Sequence, residues 1–129
     1  MNNIIIVTTL YNAEKYVSKC ISSMKEQNDP DFSCYITDDI STDNSIQELT
    51  KTIGVDSRFI LYKNKVKAYQ PGNYDNIIRY NNKIDDYDII VELDGDDWFP
   101  DRDVITRIKK VYSNKDIWIA NGSFVYSDG

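Results

Sequence analysis

The chain has 129 residues, 41% of them hydrophobic and 28% charged, enough for one globular domain with a core of its own. Its net charge of −6 excludes a basic nucleic-acid footprint and electrostatic attachment to an anionic membrane. Histidine is absent, so no histidine triad or His-rich zinc site can be built from this chain.

The start, Met1 to Val7, carries neither a basic n-region nor a long apolar h-region, so no standard signal peptide is expected. No apolar stretch approaches membrane-spanning length. Ile4 to Val7 reads as a strand that runs on into Thr8-Thr9-Leu10-Tyr11-Asn12. Asn12 is expected to cap a helix from near Ala13, where Tyr16, Val17, Cys20, Ile21 and Met24 recur at helical spacing. Asn28-Asp29-Pro30 breaks that helix. A second strand, Phe32 to Thr37, leads through Asp38-Asp39-Ile40-Ser41-Thr42-Asp43 to a helix with Ile46, Leu49 and Ile53 on one face and Gly54 as its stop.

Phe59 to Tyr62 is a short third strand, followed by a polar, basic loop from Lys63 to Gly72 and a helix from about Tyr74 to Ile84. Asp88 to Leu93 is the fourth strand, and a helix from Asp101 or Arg102 to Tyr112 presents Val104, Ile105, Ile108 and Val111. Ile117 to Ile119, and Phe124 to Tyr126 beyond it, are expected as further strands. Alternating strands and helices predict an α/β fold with right-handed crossovers and a mainly parallel sheet. Cys20 and Cys34 fall in neither a metal-ligand spacing nor a redox motif, which marks them as reduced packing residues of a cytoplasmic protein.

The chemistry concentrates after three strands. The apolar run Ile89-Ile90-Val91-Glu92-Leu93 ends in Asp94-Gly95-Asp96-Asp97-Trp98-Phe99. Carboxylates crowded at the end of a buried strand raise electrostatic energy unless a cation neutralises them. Oxygen ligands of this kind suit Mg²⁺, Mn²⁺ or Ca²⁺. Favourable placement at a helix N-terminus accounts for Asp101 and Asp103 but not for Asp94, Asp96 and Asp97. An EF-hand fails because Trp98 and Phe99 stand where an oxygen ligand and a glycine are needed. The other two segments, Thr8 to Asn12 and Thr37 to Asp43, read either as turns or as binding loops. Asp43 is expected as a helix cap, which leaves Asp38 and Asp39 unexplained.

Four pieces together resemble a GT-A glycosyltransferase of family 2, and the resemblance spans essentially the whole chain. They are Thr9-Leu10-Tyr11-Asn12-Ala13-Glu14-Lys15-Tyr16, Ile21-Ser22-Ser23 with Gln27, Asp38-Asp39-Ile40-Ser41-Thr42-Asp43-Asn44-Ser45, and Leu93-Asp94-Gly95-Asp96-Asp97-Trp98. The resemblance implies a Rossmann-like three-layer sandwich over residues 1–129, the nucleotide-sugar-binding portion, cut before the acceptor-binding part. It further implies a nucleotide site formed by Thr9, Leu10, Tyr11, Asp38, Asp39, Asn73, Asn76, Asp94, Gly95 and Asp96. In that site Thr9 and Tyr11 would line the uridine pocket and Asp39 would accept the uracil N–H. Asp96 and Asp97, with Asp94, would hold Mn²⁺ or Mg²⁺ on the diphosphate.

Ile40 departs from the family, which usually has glycine there. A β-branched residue disfavours positive φ, so a reshaped loop is expected. Gly72-Asn73-Tyr74-Asp75-Asn76 falls where relatives cover the uridine and phosphates. Lys65, Lys67 and Arg79 are candidates to contact phosphate or base, whereas Tyr80 and Tyr87 are expected in helix packing.

The function so implied is a metal-dependent, inverting transfer of sugar from a UDP-sugar to the hydroxyl of an unknown glycan, protein or lipid acceptor. The alternative is a nucleotide-sugar-binding module without turnover, since the acceptor half and its catalytic base fall outside the matched motifs. Asp97 and Asp128 are weak candidates for that base, and neither can be assigned to it. A receiver domain would carry its acidic pair after the first strand, where Thr8-Thr9-Leu10 stands instead.

Overall fold

The computed structural model describes residues 2–123, 125 and 126. Its strands are β1 (Ile4–Leu10), β2 (Ser33–Asp38), β3 (Phe59–Lys63) and β4 (Ile89–Glu92). The helices between and after them are α1 (Val17–Lys25), α2 (Ser45–Ile53), α3 (Tyr69–Tyr80) and α4 (Val104–Tyr112). All pairings are parallel, in the order β3-β2-β1-β4. The fold is therefore the expected α/β sandwich.

Side chains alternate across the sheet, and that alternation builds two cores. Ile4, Ile6 and Leu10 of β1, with Cys34, Ile36 and Ile89, pack under Val17, Ile21 and Met24 of α1, Leu49 of α2 and Ile105 of α4. Ile5, Val7 and Tyr35 face the other way, against Tyr74 and Ile77 of α3. Burying a side chain of this size contributes about 1.5–3 kcal/mol, so the larger core dominates stability. No helix among the described residues is long and apolar enough to cross a membrane.

Several local expectations are corrected. α3 begins at Tyr69, inside the expected loop, and runs through Pro71 and Gly72. Proline costs no hydrogen bond in a first turn, where the N–H has no intrahelical partner. The same helix stops at Tyr80, short of Ile84.

Asn12 caps nothing: α1 starts only at Val17, and Asn12 Oδ1 instead accepts from the Thr42 N–H at 2.8 Å. Asp43 acts one residue before the α2 cap, accepting from the Ser45 N–H at 2.9 Å. Ile117 to Ile119 is not a strand, and Trp118 there is 88% exposed. The expected Phe124 to Tyr126 strand and Asp128 fall wholly or partly outside the described residues.

Candidate functional site

The topology decides where a site can form. From β1 the chain moves outward through β2 to β3, then returns to add β4 on the other side of β1. Ligands of open parallel sheets bind at the carboxyl ends of strands where the order reverses. The segments after β1, β2 and β4 all meet there. The Asp39 N–H donates to Leu10 O at 2.8 Å and the Gly95 N–H to Thr9 O at 3.0 Å, so both acidic loops are fastened to the end of β1.

Gly95 suits this close approach. A Cβ at that position would stand 2.8 Å from Leu10 Cδ1 and 3.1 Å from Thr9 O. The Thr8 to Asn12 and Asp38 to Ser45 segments are also stitched together, through Ser41 Oγ to the Asn12 N–H at 3.0 Å and Ser45 Oγ to the Ala13 N–H at 2.8 Å.

A cavity of about 350 Å³ opens between these loops and the start of α3. It is lined by Tyr11 and Asp39, beside Lys67 and Tyr69, and by Asp94, Gly95 and Asp96, beside Thr9 and Gln70. Six expected nucleotide-site residues thus meet in one pocket. Leu10 does not, because alternation turns it into the large core, where it is fully buried. Asp38 is buried beneath its loop and accepts from the Ser41 N–H at 3.2 Å. Asn73 is buried behind the pocket wall, where its Oδ1 accepts from Asn64 Nδ2 at 2.7 Å, while Asn76 is exposed away from the pocket.

Lys67 is the expected cation that reaches the pocket, its ammonium 3.0 Å from the centre of the Tyr11 ring. Lys65 lies exposed outside it, and Arg79 pairs with Asp75 along α3. Tyr80 and Tyr87 are exposed rather than packed.

Asp39 is buried and densely satisfied. Its Oδ1 accepts from the Ala68 N–H at 2.8 Å and Asn64 Nδ2 at 2.9 Å, and its Oδ2 from the Tyr69 N–H at 2.8 Å. Burial alone would raise its pKa. The bonds from Ala68, Asn64 and Tyr69, with the Lys67 charge, outweigh burial and hold the carboxyl below its usual range. A carboxylate accepts about four hydrogen bonds, so Oδ2 keeps capacity for one more donor.

Asp94, Asp96 and Asp97 can each bring a carboxylate oxygen within 4.8 Å of the others. Two oxygens on one hard cation at its usual bond lengths lie no more than about 4–5 Å apart, so the cluster fits a divalent ion. Asp97 has a raised pKa, first through burial and then through Asp96 and Asp94. Asp94 is held by α3: Gln70 Nε2 lies 2.6 Å from each of its oxygens, and the Tyr74 hydroxyl donates to Oδ1 at 2.5 Å. Gln70 is absent from the residues expected from the sequence, and Tyr74 figures there only within the Gly72 to Asn76 segment.

Ser23 and Gln27 turn out to be scaffolding. Ser23 Oγ accepts from the Phe99 N–H at 3.0 Å, and Gln27 Oε1 accepts from the Ile105 N–H at 3.1 Å, which fixes the chain after the acidic loop. Among the described residues, the non-glycine positions with positive φ are Asn12 (46°), Ile40 (65°) and Tyr69 (59°). One follows Tyr11, one follows Asp39, and one lines the pocket itself. Ile40 therefore holds a left-handed turn that glycine would make easily.

Residues 5–128 match the model of glycosyl transferase family 2. The chain belongs to that family. A teichoic acid poly(glycerol phosphate) polymerase from Staphylococcus epidermidis is 41% identical over 63 residues, which is 46% of this chain and 9% of the polymerase. Among solved structures, S. aureus TarS 1-349 in complex with UDP-GlcNAc superposes with a TM-score of 0.74 at 16% identity, covering 97% of this chain and 37% of that one. A mannosyltransferase from Pyrobaculum calidifontis in complex with GDP-Man and Mn²⁺ gives 0.71 at 16% identity, with coverages of 84% and 31%. At such identities the superpositions establish the fold. This family 2 chain spans well under half the length of each of these relatives.

Proposed function

We propose that the chain binds a UDP-sugar with Mn²⁺ or Mg²⁺, as the donor-binding part of an enzyme that transfers the sugar to an acceptor hydroxyl with inversion. One observation carries this reading: a single pocket holds Tyr11 and Asp39 at one end and Asp94 and Asp96 at the other. Tyr11 offers a ring against a base, and the spare acceptor position of Asp39 suits the uracil N3–H. Cytosine presents an acceptor at that position, which the carboxylate repels. The neighbouring structures with UDP-GlcNAc and with GDP-Man and Mn²⁺ support a nucleotide-sugar donor and a metal. The free, buried Cys20 and Cys34 support a reducing, cytoplasmic setting.

In the reaction, the acceptor oxygen bonds to the anomeric carbon as the bond from that carbon to the diphosphate oxygen breaks with its electron pair. The acceptor proton passes to a base outside the residues assigned here, because Asp97 belongs to the acidic cluster. Asp94, Asp96 and Asp97 would hold the ion, which when bound acts as a Lewis acid on the departing diphosphate. Lys67 adds positive charge beside the same pocket, and Thr9 and Gly95 shape its floor.

A nucleotide-sugar-binding module is the second reading, because the residues that line the pocket account for holding a donor and not for taking up the acceptor proton. Calorimetric titration of UDP, CDP and GDP with and without Mn²⁺, followed by an assay for sugar release from UDP-sugars, separates the two. Mn²⁺-dependent UDP binding with release supports the enzyme, and binding without release supports the module. No binding of UDP at millimolar concentration with Mn²⁺ refutes both.

A further inference from the structure

Helix α3 touches both ends of the pocket. Its first N–H groups are held by Asp39, and Gln70 and Tyr74, four residues apart and so on one face, both reach Asp94. Tyr74 is 8% exposed, and its ring packs with Ile5, Val7, Tyr35 and Ile77, so the position of its hydroxyl is set by the core between α3 and the sheet. Gln70 Nε2 also lies 3.4 Å from the Tyr74 hydroxyl, which ties the two donors together.

The backbone of Asp94 is equally fixed, its carbonyl accepting from the Asp97 N–H at 3.0 Å and the Cys20 thiol at 3.6 Å. Among the described residues, no such side-chain bonds reach the carboxylates of Asp96 and Asp97, which are exposed. Three like charges this close drive one another apart, and only Asp94 is restrained against that push. Its three accepted bonds leave room on Oδ2 for one further partner.

We propose that Gln70 and Tyr74 are positioning residues that hold the Asp94 carboxylate in the orientation from which it, Asp96 and Asp97 converge on one divalent cation. This rests on the reading of the acidic cluster as a cation site. Groups that orient a ligand in this way typically change metal affinity by about 10–100-fold when removed.

The test measures Mn²⁺ binding to the full chain by loss of the free Mn²⁺ spin-resonance signal, without nucleotide and with UDP, alongside the thermal midpoint. The proteins are the wild type, Tyr74→Phe, Gln70→Leu and, as a control for the cluster, Asp97→Asn. Tyr74→Phe keeps the buried ring, and its Mn²⁺ dissociation constant should rise on the order of tenfold with the midpoint nearly unchanged. Gln70 is exposed, so Gln70→Leu should weaken Mn²⁺ several-fold with no change in folding, and it decides the matter if Tyr74→Phe folds poorly.

Wild-type affinity in both variants, beside a weakened Asp97→Asn, overturns the positioning role while the cation site stands. A wild type that takes up no Mn²⁺ in either condition overturns the cation site and the positioning role with it.

Discussion

The two ends of the pocket use the same side chain in opposite settings. At the Asp39 end, three protein donors surround a buried carboxylate and keep it ionised. At the acidic-cluster end, partial desolvation and then the charges of Asp96 and Asp94 act on the Asp97 carboxylate, which no described side chain bonds, and its pKa is pushed up. Burial opposes ionisation at both, and only at Asp39 do hydrogen bonds win. The comparison teaches that environment, not residue type, assigns the role. A carboxylate with three of its about four acceptor positions filled is a rigid acceptor for one more N–H, whereas an unsatisfied cluster gains most from a cation.

The largest effect should come from erasing the second setting. Asp96→Asn with Asp97→Asn removes two charges and should weaken Mn²⁺-dependent UDP binding on the order of 100-fold or more, by calorimetry. The free protein should not lose stability, because the mutual repulsion is relieved. Unchanged UDP affinity would show that the acidic loop plays no part in binding.

The next largest effect belongs to Asp39. Asp39→Ala leaves the Ala68 and Tyr69 N–H groups and the Asn64 amide without their shared acceptor. It should cost about 2 kcal/mol of stability and reduce the preference for UDP over CDP roughly tenfold. Equal loss for both nucleotides would end the base-reading role. Asp39→Asn keeps an acceptor oxygen and should cost less.

The pH dependence has a definite sign. With its folded pKa lowered, Asp39 contributes stability that is complete above its unfolded value of about 3.9 and is lost as pH falls through the folded value. Urea midpoints should therefore fall more steeply below about pH 4 in the wild type than in Asp39→Asn. Asp97, shifted the other way, favours the protonated folded form and cannot cause that loss.

The sheet and most of the helices were legible because apolar periodicity is local. β1 and β4 are largely apolar runs, β2 has Cys34, Tyr35 and Ile36 at its centre, and α1, α2 and α4 each carry a stripe of matching period. The start of α3 was not, because Pro71 and Gly72 read as breakers while the acceptor that holds its first turn lies on Asp39, in another loop. Ile117 to Ile119 has strand-forming side chains but no neighbouring strand among the described residues, and a strand is stable only in company.

At the site, Thr9, Tyr11, Asp39, Asp94 and Asp96 were legible as polar groups ending apolar strands. Gln70 and Tyr74 were not. Their partner Asp94 is 24 and 20 residues away, and no short-range pattern records the bond.

The smallest effect would sharpen the comparison by acting on one end alone. Ile40 follows Asp39 and holds φ at 65°, a region costing a non-glycine residue about 1–2 kcal/mol. Glycine removes that strain but gives back part of it as freedom in the unfolded chain, about 0.5–1 kcal/mol. The net expectation for Ile40→Gly is a gain of roughly 0.5–1 kcal/mol, a rise of a few degrees in thermal midpoint. Its side chain is 39% exposed, and packing lost from the covered part works against that gain. Mn²⁺ affinity should not change, since Asp94, Asp96 and Asp97 sit on the loop after β4. A fall in stability would mean that contacts of the Ile40 side chain outweigh its backbone strain, and a change in Mn²⁺ affinity would mean that the two ends of the pocket are not independent.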